Sequence, residues 1–208
     1  MLKYIIGVVL IAVVATGAYY VWNGAPSEPR EEMNIPSTPS QPTMATSTYA
    51  TSTFSLIYPA DFTVNNAYAY EGVPKKPIFG VKFSIPSTMT TGTNLSLDTG
   101  LSVESLPRAQ TCTGDIYVLP NVKPIKLTEN SAAYSVATTS EAGAGNFYEE
   151  YVYAFTDSSP CTAVRYFIHS TNVANYATGT VREFDRDLLI RAFDTIRRSL
   201  VLKPRSTQ

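Results

Sequence analysis

The hydrophobic pattern of this chain changes character twice. From Tyr4 to Trp22 nearly every position is apolar and none is charged. From Asn23 to about Thr51 large apolar residues almost vanish, and proline, serine and threonine take their place. From Phe54 to about Leu202 apolar and polar residues alternate, mostly with a period of two and once with a period near four. A period of two lines one face of a strand; a period near 3.6 lines one face of a helix. The pattern therefore predicts a membrane anchor over 1–22, a disordered linker over 23–51, a folded α+β domain over 52–203 and a short tail over 204–208.

Within the folded part most segments read as strands. Phe54, Leu56 and Tyr58 alternate until Pro59, and Ile78–Ile85 alternates less cleanly until Pro86. Leu95–Leu106 carries Leu95, Leu97, Leu101 and Val103, with a break near Gly100. Ala132, Tyr134 and Val136 share a face. Asn146–Phe155 and Cys161–His169 are the clearest strands, joined by the turn formers Asp157-Ser158-Ser159-Pro160. That is a hairpin, and with its neighbours it predicts an antiparallel sheet. Ala142-Gly143-Ala144-Gly145 reads as a turn or bulge rather than a phosphate cradle. One long helix follows from Phe184, Leu188, Ala192 and Ile196, with Thr180 or Asp185 as its cap. Acid-first pairs Asp187–Arg191 and Asp194–Arg198 support it, and Arg197 and Arg198 suit the negative end of its dipole. A shorter helix is predicted over Ala109–Tyr117. Strands first and a helix last give α+β rather than βαβ alternation.

The uncharged run of Tyr4–Trp22 extends about 28 Å as a helix, close to the hydrocarbon thickness of a bilayer. Tyr4 opens it, and Tyr19, Tyr20 and Trp22 close it at headgroup level. Lys3 precedes it, whereas Glu28, Arg30, Glu31 and Glu32 follow with net negative charge. The positive-inside bias then leaves the N-terminus cytoplasmic and the folded domain extracytoplasmic, a single-pass protein of the cell membrane. Cleavage after Thr16-Gly17-Ala18 is the rival reading, and it too exports the domain. The proline-rich stretch after the run buries too little to offset its ordering entropy, so it reads as a tether.

Composition excludes several functions. The formal net charge is −1, which leaves no electrostatic footprint for nucleic acid. No phosphate loop, dinucleotide fingerprint, Gly-x-Ser-x-Gly or His-Glu-x-x-His occurs, so no cofactor and no metal are expected. Asn94-Leu95-Ser96 matches a glycosylation acceptor, a pattern that arises easily by chance. Cys112 and Cys161 are the two cysteines, both beyond the membrane on this topology, and an oxidising compartment favours a disulfide.

The lone histidine, His169, defines the one candidate constellation. If Asp157–Pro160 forms a four-residue turn, Tyr148 lies opposite His169 and Glu150 opposite Phe167. Glu150 then stands diagonally between Arg165 and His169, within side-chain reach. One reading makes these residues a binding site with His169 as proton carrier or ligand anchor. The other makes them a cross-strand charge network that holds register.

Several segments resemble the PsbP-like family, named for an extrinsic subunit of the photosynthetic oxygen-evolving complex. Phe54-Ser55-Leu56-Ile57-Tyr58-Pro59-Ala60-Asp61-Phe62 is similar to its opening strand, and Leu95–Leu106 to its central strand. Phe147–Tyr153, the partner strand ending at His169, and Phe193–Leu200 resemble its late strands and last helix. The similarity runs from about Phe54 to Leu200 by order of elements. It implies an antiparallel sheet with helices on both faces, an α/β/α sandwich, and a non-catalytic role in binding or assembly. The anchor and the cysteine pair depart from that family.

The expected function is accordingly a membrane-tethered domain that binds a protein partner at the envelope, held to the bilayer through residues 4–22. Two alternatives stand beside it. One is a small-ligand binder or enzyme using the Glu150, Arg165 and His169 face, and the other is a purely structural envelope component.

Overall fold

The computed structural model describes residues 45–204. The predicted anchor, the linker up to residue 44 and the tail from 205 lie outside the described residues. Among the described residues no helix is long and apolar enough to cross a membrane.

Among the described residues there are ten strands and two α-helices. The strands are β1 (Thr46–Ala50), β2 (Phe54–Pro59), β3 (Thr63–Tyr70), β4 (Ile78–Ser84), β5 (Gly100–Leu106), β6 (Ile125–Glu129), β7 (Ala132–Gly143), β8 (Asn146–Phe155), β9 (Cys161–Thr171) and β10 (Val201–Leu202). The helices are α1 (Ser87–Thr90) and α2 (Arg186–Arg198). Seven strands form one sheet in the order β3-β4-β5-β9-β8-β7-β6, and β1-β2-β10 form a small second sheet. Every strand pair is antiparallel, so the domain is α+β.

Alternation decides what each face of the large sheet carries. Val81, Phe83, Leu101, Val103, Val164, Tyr166 and Ile168 point to one face and pack against Leu189, Phe193 and Ile196 of α2. Phe54 and Leu56 of the small sheet and Met89 of α1 join the same cluster. Burying each such side chain contributes about 1.5–3 kcal/mol, which is what holds helix and sheets together. Asp185 caps α2 by accepting a 2.8 Å hydrogen bond from the Leu188 amide. Thr180 instead bonds the Ala177 carbonyl in a preceding turn, so the helix begins at Arg186 and Phe184 lies just before it. Asp194 reaches Arg198 at 3.4 Å, as the pairing rule predicts.

The opposite face is covered differently from the expectation of helices on both sides. Its cover is the irregular segment 107–122, whose one regular piece is a 3-10 turn at Gly114–Tyr117. This replaces the helix predicted over Ala109–Tyr117. The cause is local: the Cys112–Cys161 disulfide ties the segment to the start of β9. Gly114 also lies so close to β7 that an added Cβ would meet the Ala137 nitrogen at 2.6 Å. The disulfide is the predicted one, and closing its loop contributes about 4 kcal/mol in the chain-entropy view.

Two further expectations are corrected. Thr46–Ala50, placed in the linker, is strand β1, because it pairs with β2 and its Tyr49 ring packs 5.4 Å from that of Phe83. The strand predicted from Leu95 begins at Gly100, and Leu95 makes only an isolated bridge to Ser170. Asn94 is 7% exposed; its amide donates to the Thr171 carbonyl at 2.8 Å and accepts from the Phe184 amide at 2.9 Å, which leaves no room for a glycan on the folded domain. The turn at Ala144-Gly145 is as expected: φ is 50° and 78°, the positive pair of a two-residue hairpin turn.

Candidate functional site

β8 and β9 pair with Tyr148 opposite His169 and Glu150 opposite Phe167, the register that the turn residues predict. On the same face, Ser102 lies opposite Arg165, Lys82 opposite Ser102, and Tyr68 opposite Gly80. The face turned away from α2 therefore carries a row of polar and aromatic side chains across five strands.

Arg165 is its centre, and it is fully buried. Its Nε and Nη2 donate to the two carboxylate oxygens of Glu104, each at 2.9 Å. Nη1 donates to Glu150 at 2.5 Å, and Nη2 also donates to the Tyr117 carbonyl at 2.7 Å. The Tyr70 ring stacks on the guanidinium at 3.5 Å, and the Tyr70 hydroxyl donates to Glu150 at 2.7 Å. Ser102 donates to Glu104 at 2.7 Å. Burial alone works against the charge on Arg165; Glu104 and then Glu150 outweigh it and hold its pKa above the ordinary value. A planar cation between two carboxylates with its donors satisfied is rigid, because any rotation leaves a buried charge unpaired.

The segment 107–122 covers one end of this network and leaves the other open. The open end is a cleft of about 460 Å³. Tyr68, Tyr70, Tyr148 and Phe167 supply its apolar walls, Glu150 and Lys82 reach its floor, and Leu119 and Pro120 form one rim. Glu150 is the member of the buried network that reaches solvent, with its side chain 13% exposed. Lys82 donates to the Asp98 carbonyl at 2.5 Å and lies 5.5 Å from the ring centres of Tyr68 and Phe167. Burial pushes its pKa down, with Asp98 and Glu104 pulling the other way. Burial likewise pushes the Tyr68 and Tyr70 hydroxyls above their ordinary range, so both stay neutral donors.

His169 stands at the edge of this arrangement. Its ring stacks on Tyr148 with centres 4.5 Å apart. Nδ1 lies 2.8 Å from Asp98 and Nε2 lies 3.0 Å from Asn146 Oδ1. The structure thus joins Glu150 to Arg165 and Tyr148 to His169, while the histidine bonds Asp98 and Asn146 rather than Glu150. Among the described residues no hydroxyl contacts its ring, so there is no serine–histidine pair to activate a nucleophile. Nor does any group of three or more His, Cys, Asp or Glu stand ready for a metal among the described residues. What the arrangement supplies chemically is recognition: ring faces, tyrosine hydroxyls, the carboxylates of Glu71, Glu141 and Glu150, and the Lys82 ammonium around an open space.

Sequence reasoning missed Tyr68, Tyr70, Lys82 and Glu104. Glu104 left no signal, since it alternates with Leu101 and Val103 on the polar side of its strand and only the structure shows it buried. Tyr68 and Tyr70 left little, because β3 is a polar edge strand with a bulge between Asn65 and Tyr68.

No protein-family model matches the chain, and no curated protein matches it either. A similar solved structure is a crystal structure from Bacteroides thetaiotaomicron VPI-5482, 10% identical, with 74% of this chain and 47% of that chain covered and a TM-score of 0.43. The chain spans just under half the length of that structure. A likeness this distant bears on neither the fold nor the site.

Proposed function

We propose that this domain binds a small polar ligand with a flat apolar face in the cleft between Tyr68, Tyr70, Tyr148 and Phe167. The observation that carries the reading is Glu150: the buried Arg165 and Tyr70 fix its carboxylate, and it opens into a cavity of about 460 Å³. A carboxylate held this way loses no rotamer freedom when a ligand arrives, which is how a pre-organised site gains affinity. The cavity falls within the usual size of small-molecule sites, roughly 300–1,000 Å³, and its aromatic walls with a few convergent polar groups suit one. Lys82 and the Tyr68 hydroxyl supply further polar contacts, and His169 supports the Tyr148 wall from behind. On this reading the anchor of residues 4–22 and the linker after it present the site outside the cell membrane. Kinship with the PsbP-like family, read from the order of elements in the sequence, remains part of the proposal.

Fluorine NMR of the full chain labelled with 3-fluorotyrosine tests it. Signals of Tyr68, Tyr70 and Tyr148, assigned by single Tyr→Phe substitutions, are followed while cellobiose, L-arginine and 4-hydroxybenzoate are added in turn. Saturable shifts confined to those three signals, weakened by Glu150→Gln, support the cleft. Saturable shifts at tyrosines of the α2 face alone contradict it.

A further inference from the structure

A second cavity lies beside the cleft and shares no lining residue with it. It is a groove of about 640 Å³ between residues 73–78 and residues 106–116. Val73, Pro77, Ile78, Leu106, Ala109 and Ile116 line it, and no carboxylate does. Ile78 belongs to the smaller hydrophobic cluster of the domain and is 3% exposed, while Ile116 at the mouth is 37% exposed. Lys76 and Arg108 stand one on each wall, and neither has a carboxylate partner among the described residues.

We infer that this groove binds a long-chain fatty acid, with the alkyl chain on the apolar floor and the carboxylate between Lys76 and Arg108. Three observations lead there. The floor is hydrocarbon and gains only from covering more hydrocarbon. The two cations without partners ask for one anionic head at the rim, which a neutral lipid or an internal apolar peptide segment lacks. The walls are also fixed in advance. Leu106 pairs with Cys161, the disulfide holds Cys112 just beyond Thr111, and the Lys76 amide bonds the Val73 carbonyl at 3.0 Å in the facing turn. A groove with set walls keeps its shape when empty, so a ligand need not order it.

The full chain in phosphatidylcholine nanodiscs is irradiated with a diazirine-bearing palmitate, and labelled peptides are mapped by mass spectrometry. Label is expected within residues 73–78 and 106–116. Excess palmitate should displace it and cetyltrimethylammonium should not. Replacing both cations, Lys76→Gln with Arg108→Gln, should cut it about tenfold, since two exposed ion pairs are lost together. Both positions are exposed, and a thermal melt equal to the parent's verifies folding; Ile116→Glu at the mouth is the second, independent block. Label elsewhere, label indifferent to these substitutions, or equal displacement by the cationic amphiphile overturns the inference. So does loss of label on adding phosphatidylglycerol but not palmitate, which would mark the groove as a headgroup dock.

Discussion

Arg165 carries more of this protein than any other side chain. It is wholly buried, it is held by two carboxylates, and it gives Glu150 its fixed place in the cleft. Removing one partner of such a network strands the others without compensation, at a cost of about 3–5 kcal/mol. Arg165→Met should therefore lower the denaturation free energy by about that much, read from urea titration. Adding Glu104→Gln to it should recover part of the loss, because the stranded charge goes. Recovery is the informative half: a purely packing role for the arginine predicts none. The sequence made Arg165 and Glu150 visible as neighbours across one hairpin, because a turn of known length fixes the pairing. It did not make Glu104 or Tyr70 visible. They join through the β5–β9 and β3–β4 pairings, and no local turn links β5 to β9. His169 was legible as the lone histidine and as the cross-strand neighbour of Tyr148, but not as a partner of Asp98, which comes from the loop before β5.

Helix α2 is held to the sheet by charge as well as by its apolar stripe. Arg197 lies over the Tyr153 and Tyr134 rings, with ring centres 4.3 and 5.0 Å away, and donates to Tyr166 at 2.8 Å and to Glu129 at 2.6 Å. At the other end Arg186 bonds Glu149 at 2.7 Å. The Arg197 hydrogen bond holds Glu129 below the usual carboxylate range, and the Arg186 bond does the same for Glu149. A depressed folded pKa gives stability that is present above the unfolded value and lost as pH falls through the folded one. The helix clamp should therefore be intact at neutral pH and weaken below about pH 4.3, the ordinary glutamate value. Melting temperature against pH measures this, and Glu129→Gln should flatten the acid limb. The cap is a separate device: Asp185→Ala should cost about 1 kcal/mol, seen as a shift of the same melt at pH 7. The long helix and the β8–β9 hairpin were legible because their periods are sustained and their turn and cap residues are strong. Edge strands β1, β3 and β6 were not. They are short or half polar, and their pairing partners, rather than their own alternation, make them strands.

At the scale of the molecule, the large sheet has one face sealed by α2 and the small sheet, and one face only partly covered by the segment that Cys112 ties down. The open remainder is where the polar network meets solvent. The disulfide, legible from two cysteines and an expected oxidising compartment, thus shapes both the cleft and the groove beside it. The proposed export rests on the apolar N-terminal run. A reporter enzyme that needs disulfides, fused after Gln208, should be active on the far side of the membrane and inactive in a strain or cell line where the run is replaced by a polar stretch. The central claim is that the open face is a binding site, and native mass spectrometry of the full chain purified from its native source reads it most directly. A retained small-molecule mass that disappears with Tyr148→Ala and with Glu150→Gln, while both variants stay folded, is the predicted result. A protein that carries no such mass, or one that both variants retain unchanged, would contradict it.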